Sequence, residues 1–361
     1  MKMLFMFPAV KYSGAPKMLA TVANWFAESG EDVKMLTFLD PEITQKLHPS
    51  IKTDCLNFKR SGSKFGMVTD YYKLRKQIIQ YVLTDKPDVV VTFGDVFSNL
   101  ALKALKRKNV CIVVSERGDP SLSDIVSRYK RKAFRNASGF VFQTEGAKNC
   151  YDSSVQARSY VIPNPVTMSN AECVPFEERK KKIVSPGRVE FEQKRQDVLI
   201  RAFEQVHEKY PEYELYCYGD GPDLERAKAL AAETKAKDAI FFPGAVTPVE
   251  EHIKDATLAA FASDFEGIPN TVIEAMNMCV PVVSTDCSPG GARLLLGEDE
   301  FGYVVPRGDA DKLAEKMIYA LGHPEEAREK CEQAKASLAR FENSKIANMW
   351  RDAVKKIKSS K

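Results

Sequence analysis

The sequence predicts two α/β domains, each a parallel sheet with helices on both faces. Three observations predict this. Short, near-continuous apolar runs alternate with amphipathic helical stretches from end to end. The alternation breaks once and restarts. A chain of 361 residues is too long for one typical domain and comfortable for two. Strands that are apolar throughout are buried on both faces, as in parallel sheets under helices. Ligands of such sheets bind beyond the carboxyl ends of the strands, so chemistry is expected in loops that follow strands.

The first set of strands reads as MLFMF (3–7), VKMLTFL (33–39), DVVVTFG (88–94), VCIVVSE (110–116), GFVFQTE (139–145) and SYVIPN (159–164). The helical stretch from Pro16 has proline at its start and Gly30 at its end, the usual capping asymmetry. Residues 166–182 are polar, charged and aperiodic, and read as a linker. KKIVSPG, ELYCYGDG, AIFFPGAV, TLAAFAS, PVVSTD and GYVVP then form a second set of strands. The expected domains are 1–165 and 183–340, with a final helix over 341–361 that has the option of packing back on the first domain.

Hydrophobic residues are 44% of the chain and charged residues 28%, a globular composition. Lys and Arg number 53 against 49 Asp and Glu, a net +4 that is too mild to argue for nucleic acid. The eight cysteines are Cys55, Cys111, Cys150, Cys173, Cys217, Cys279, Cys287 and Cys331, with no C-x-x-C pair. Several lie in apolar runs, so buried thiols in a reducing compartment are expected. MKMLFMFPAV reads as a first strand rather than a signal peptide. No segment approaches the length of a membrane span. The expected location is cytoplasmic.

Several strand-end loops carry candidate chemistry. In KYSGAPKM (11–18), Gly14 lets backbone approach a phosphate or sugar ahead of a helix start, though a plain turn fits equally. In SPGRVEFEQKRQD (185–197), Gly187 and Arg188 follow a strand, while Lys194 and Arg195 precede a helix. Cations at the two ends of one loop suit a diphosphate, and a solvated loop is the alternative. CYGDGPDLE reads as a tight turn. Gly244 to Val246 offer backbone to a flat base, or simply turn the chain. In SDFEGIPNTVIEAM (263–276), Thr271 and Glu274 fit a capping box. Glu266 has no such structural explanation. Gly267 and the helix start behind it offer N–H groups and a positive dipole end. Carboxylates accept hydrogen bonds from sugar hydroxyls. The pair therefore suits a ligand that has both hydroxyls and phosphates.

Taken in order, GAPK, IPNPV, GRVEFEQKRQD, YGDGP, FFPGAV and SDFEGIPNTVIEAM resemble glycosyltransferase family 4. The resemblance covers nearly the whole chain and is strongest from Val161 to Pro306. It implies the GT-B fold, two Rossmann-like domains facing a central cleft, with the acceptor on the first and the nucleotide sugar on the second. It implies that Arg188, Lys194 and Glu266 are catalytic. Arg188 and Lys194 would hold the donor diphosphate, and Glu266 would lie near the donor sugar. Gly14, Gly187, Val246, Gly267, Ile268, Pro269, Asn270 and Thr271 would join the donor site, with Glu274 on the ribose. Ser115 to Pro120 resemble an S-E-R/H-N-x-P stretch of transferases that extend lipid-linked oligosaccharides, which puts Glu116 and Arg117 on the acceptor side. Ser13-Gly14 stands where the family often has two glycines. Gly291 to Leu295 lack an acidic residue the family often carries there.

The implied reaction moves a hexosyl or N-acetylhexosaminyl group from a nucleotide diphosphate sugar, a UDP-sugar foremost, to a saccharide acceptor with retention. No D-x-D element or His/Cys cluster is present, and no metal or other cofactor is expected. The basic stretch 124–136 fits an anionic membrane surface or, equally, a solvated helix face. The rivals are a nonenzymatic sugar-nucleotide binder, a sugar-nucleotide epimerase and a nicotinamide dehydrogenase. A binder need not keep Arg188, Lys194 and Glu266 together. An epimerase would want more acid/base groups. A dehydrogenase would want the absent G-x-G-x-x-G.

Overall fold

The structure is a computed structural model of the chain. It describes residues 1–10, 14–59, 61, 66–93, 102–105, 110–121, 135–169 and 172–361. The chain divides into two compact units, Met1–Asn164 with Ser344–Lys361, and Pro165–Asn343.

The first unit holds β1 (Lys2–Phe7), β2 (Asp32–Thr37), β3 (Lys52–Cys55), β4 (Val89–Phe93), β5 (Cys111–Ser115), β6 (Gly139–Phe142) and β7 (Ser159–Val161). They form one sheet in the order β3-β2-β1-β4-β5-β6-β7, parallel at every pairing. Side chains alternate between faces. Met3, Phe5, Val89, Val91 and Val113 go to one face, under Trp25, Phe26 and the C-terminal helix. Leu4, Met6, Val90, Ile112 and Val114 go to the other, with Leu74, Ile78 and Val82. That two-sided burial is why the strands read as unbroken apolar runs. β3 was not anticipated: its residues KTDC are mostly exposed at the sheet edge and carry no apolar signal.

The helix Asn343–Ser359 buries Ile346, Ala347, Trp350, Ala353, Val354 and Ile357, one stripe at helical spacing. Trp350 stacks on Phe93 with centroids 6.1 Å apart. Trp25 lies in the same core.

The second unit holds β8 (Lys180–Val184), β9 (Glu214–Tyr218), β10 (Ile240–Gly244), β11 (Ala256–Phe261), β12 (Val282–Thr285) and β13 (Tyr303–Val305). Their order is β10-β9-β8-β11-β12-β13, again all parallel. The strand order reverses between β8 and β11, the crevice where open α/β sheets take ligands.

This unit also takes in the described residues of 166–182, a stretch expected as a linker. Ser169 N–H donates to Asn277 Oδ1 at 3.1 Å, and Asn277 Nδ2 donates to Thr167 O at 3.1 Å. Where the sequence leads to an expectation of buried thiols in a reducing compartment, Cys173 and Cys279 are instead joined as a disulfide. The two lie 106 residues apart in sequence, so no local spacing could announce the pair. Among the described residues no helix is long and apolar enough to cross a membrane.

Candidate active site

The loops after β8, β11 and β12 are tied together at the reversal point of the second sheet. After β8, Gly187 N–H donates to Tyr218 O at 2.8 Å and Val189 N–H to Asp220 O at 3.0 Å. The loop therefore runs along the end of β9. A Cβ on Gly219 would stand 1.9 Å from Gly187 O, so that approach requires glycine. The chain then doubles back, with Lys194 N–H on Glu190 O at 2.8 Å. Buried Gln196 closes the turn by accepting from Glu190 N–H at 3.1 Å and donating to Arg188 O at 2.8 Å. The closed turn carries the Lys194 ammonium over Gly187, 3.7 Å from where a Cβ would be.

The loop after β11 is pinned from two sides. Asp264 N–H donates to Gln193 O at 2.9 Å, and Gln193 Nε2 to Phe265 O at 3.1 Å. On the β12 side, Glu266 N–H donates to Ser288 O at 2.7 Å and Ser288 N–H to Asp264 O at 2.9 Å. Thr285 Oγ1 donates to Ser263 O at 2.6 Å. The outcome is an ion pair between Lys194 and Glu266, whose side chains are only 19% and 13% exposed. Ser263 Oγ adds a hydrogen bond to Glu266 at 3.3 Å. Partial shielding from water makes this pair stronger than a surface one. Glu266 thus has a structural tie that its sequence position did not reveal. Arg188 differs: its side chain is 63% exposed, with Glu190 at 3.7 Å.

The expected capping box does not form. The helix starts at Asn270, with Pro269 at the N-cap and no side-chain cap. Thr271 already lies inside the first turn, where its hydroxyl cannot serve as N-cap. The first turn keeps its N–H groups clear of side-chain caps at the positive end of the dipole. Glu274 Oε2 is buried without a hydrogen-bond partner. Burial pushes this carboxyl up to about 7, Glu250 adds to the rise and Lys194 opposes it. Val246 and Ile268, both half-buried, pack on the core beneath this helix. A Cβ on Gly291 would stand 1.9 Å from Gly267 O, so the helix after β12 presses directly on the glycine between Glu266 and the helix start. Shielded cation, paired carboxylate, uncapped helix start and protonatable carboxyl together suit a ligand with phosphates and hydroxyls.

Residues 170–337 match the model of the family described as glycosyl transferases group 1. That matched segment, most of the second unit, is similar to the group 1 glycosyltransferases. A Campylobacter jejuni relative is 23% identical over 370 residues, covering all of both chains. It is named as an α-1,4-N-acetyl-D-galactosaminyltransferase acting on a diNAcBac-PP-undecaprenol-linked glycan. An apo lipopolysaccharide outer core galactosyltransferase superposes with a TM-score of 0.81 at 21% identity, covering 98% of this chain and 99% of that one. Anabaena HepE in complex with UDP gives a TM-score of 0.76 at 15% identity, covering 99% and 100%. The fold is GT-B.

The remaining predicted residues lie in the first unit. Gly14 opens the helix Gly14–Glu28, while residues 11–13 fall outside the described set. Glu116 is buried and turned onto its own loop. It accepts from Arg117 N–H and Gly118 N–H, both at 3.0 Å, and from Tyr151 Oη at 3.3 Å. Arg117 lies over Phe93 and Trp350, 5.0 and 5.5 Å from the ring centroids, and donates to Asn164 Oδ1 at 3.2 Å. Burial lowers its guanidinium to about 9. Both side chains hold the loop after β5 in shape. Of the basic stretch 124–136, residues 124–134 fall outside the described set. Arg135 is paired with Asp152 at 2.8 Å.

The sequence reading missed Gln193, Gln196 and Asp264. Their polar side chains in a charged loop look like ordinary surface, and only the fold turns them inward.

Proposed function

We propose that this glycosyltransferase is a retaining family 4 enzyme. It transfers a hexosyl or N-acetylhexosaminyl group from a nucleotide diphosphate sugar, a UDP-sugar foremost, to a saccharide acceptor on a lipid-linked glycan. The observation that carries the reading is the shielded Lys194–Glu266 pair beside the Glu274 carboxyl and the uncapped helix start at Asn270. In this reading the first unit takes the acceptor and the second the donor. Lys194 and exposed Arg188 meet the diphosphate and stabilise the charge that develops as it leaves. Backbone from Gly267 to Thr271, with Gly187 and Val246, lines the donor. Glu266 faces the donor sugar and Glu274 accepts from ribose hydroxyls. Glu116 and Arg117 act on the acceptor side through the loop they shape. The leaving phosphate takes the acceptor proton on the same face.

The reading needs no metal, and among the described residues no three His, Cys, Asp or Glu side chains gather as a ligand set. UDP in the Anabaena complex and the lipid-linked glycan in the Campylobacter name support the donor and acceptor classes. The enzyme would then work in the cytoplasm, peripheral to the membrane.

The test is a thermal-shift panel with UDP, GDP and ADP, because a ligand that binds only the folded state raises its stability. UDP is expected to give the largest rise, undiminished in EDTA. No rise with any of the three would overturn the reading.

A further inference from the structure

We infer that Arg195 is a positioning residue, whose bridge to Asp264 fixes the Lys194 ammonium against Glu266. The inference rests on the reading that Lys194 meets the donor phosphates.

Arg195 occupies the N-cap of the helix Gln196–Lys209 at φ 52°, ψ 45°, the left-handed region. Only glycine adopts that conformation without cost, and asparagine comes next. An arginine there must return something through its side chain. Its guanidinium makes a fork onto Asp197, Nε to Oδ1 at 3.0 Å and Nη2 to Oδ2 at 3.1 Å. The remaining Nη1 donates to Asp264 Oδ2 at 2.7 Å. The side chain is 26% exposed. Asp264 has Arg307 on its other side, with Nη1 donating to its carbonyl at 3.4 Å.

The order along the two loops gives the bridge its use. Lys194 directly precedes Arg195, and Glu266 follows Asp264 by two residues. The Arg195–Asp264 and Lys194–Glu266 pairs are therefore successive rungs between the same two segments. The backbone rung from Asp264 N–H to Gln193 O precedes them. A lysine is a point charge on a flexible four-carbon stem and cannot fix its own position. A planar guanidinium locked onto two carboxylates can fix the backbone on which that stem stands. A helix cap alone would not require Asp264, which belongs to another element.

The test uses the full chain with Arg195→Gly, Asp264→Asn and the double variant. The readouts are melting temperature, UDP affinity, and the rate of reductive methylation at Lys194, read by peptide mass spectrometry with and without UDP. Glycine suits the left-handed site, so Arg195→Gly should stay folded. Its Lys194 should methylate several-fold faster without ligand, and UDP should bind about tenfold more weakly, the scale of one charge-assisted hydrogen bond. Asp264→Asn should reproduce both effects, and the double variant should add little, as for one shared bridge. A folded Arg195→Gly with wild-type Lys194 reactivity and wild-type UDP affinity overturns the inference. Wild-type Lys194 that UDP fails to protect counts instead against the donor reading. In that case the ligand-free comparison of wild type with Arg195→Gly still decides the positioning.

Discussion

At Glu274 burial and ionisation conflict. Its carboxyl is raised from 4.5 to about 7, so the folded chain holds a proton there that the unfolded chain releases. Across that window the unfolded state binds fewer protons, and stability therefore falls as pH rises from about 4.5 to about 7. Glu274→Gln has no such titration. Melting curves from pH 4.5 to 8 should show the variant gaining on wild type as pH rises, and wild type gaining instead would contradict the assignment. Arg188 offers a different test. Its exposed guanidinium is barely engaged in the fold, so Arg188→Ala should leave melting unchanged while lowering turnover by roughly 10²–10³, the scale for losing one preorganised donor. Steady-state kinetics with UDP-sugars would expose near-wild-type turnover, which would remove Arg188 from the mechanism. Both residues stand out in the sequence because each lies in the segment that follows a strand, Arg188 in the loop after β8 and Glu274 in the helix after β11. Their unlike environments were not legible, since burial and exposure depend on what the rest of the fold brings alongside.

At the scale of elements, β11 and β12 were legible because two-sided burial leaves an unbroken apolar run. β3 escaped because an exposed polar edge leaves none. The helix start at Asn270 was misread by local pattern. T-x-x-E is a capping signal only where the threonine precedes the first turn, and here Pro269 takes that place. What fixes this helix start is the approach of the helix Gly291–Leu296, invisible in sequence except as a glycine. Gly291→Ala would push a methyl into the Gly267 carbonyl, with backbone on both sides unable to give. We expect it to destabilise by about 1–3 kcal/mol, as overpacking does, and to weaken UDP binding because the Glu266 loop must shift. A urea midpoint that falls at constant m-value would check the first, and a titration with UDP the second.

At the scale of the molecule, the second unit is inserted within the first, because the chain leaves the first unit after Asn164 and rejoins it at Ser344. The helix that rejoins brings Trp350, fully buried, onto Phe93. Trp350→Ala should destabilise the first unit by about 3–5 kcal/mol, the usual cost of deleting a large buried aromatic. A denaturant melt followed by first-unit probes measures this. During synthesis the inserted unit is complete before the host unit receives its last helix, so the host is the half that closes late. The two tryptophans of the sequence, Trp25 and Trp350, both lie in the host core. The second unit is therefore dark in tryptophan emission. Comparing a fluorescence melt with a calorimetric melt reads one half against the whole, and the gap between them measures the thermodynamic coupling of host and insert without any engineered label.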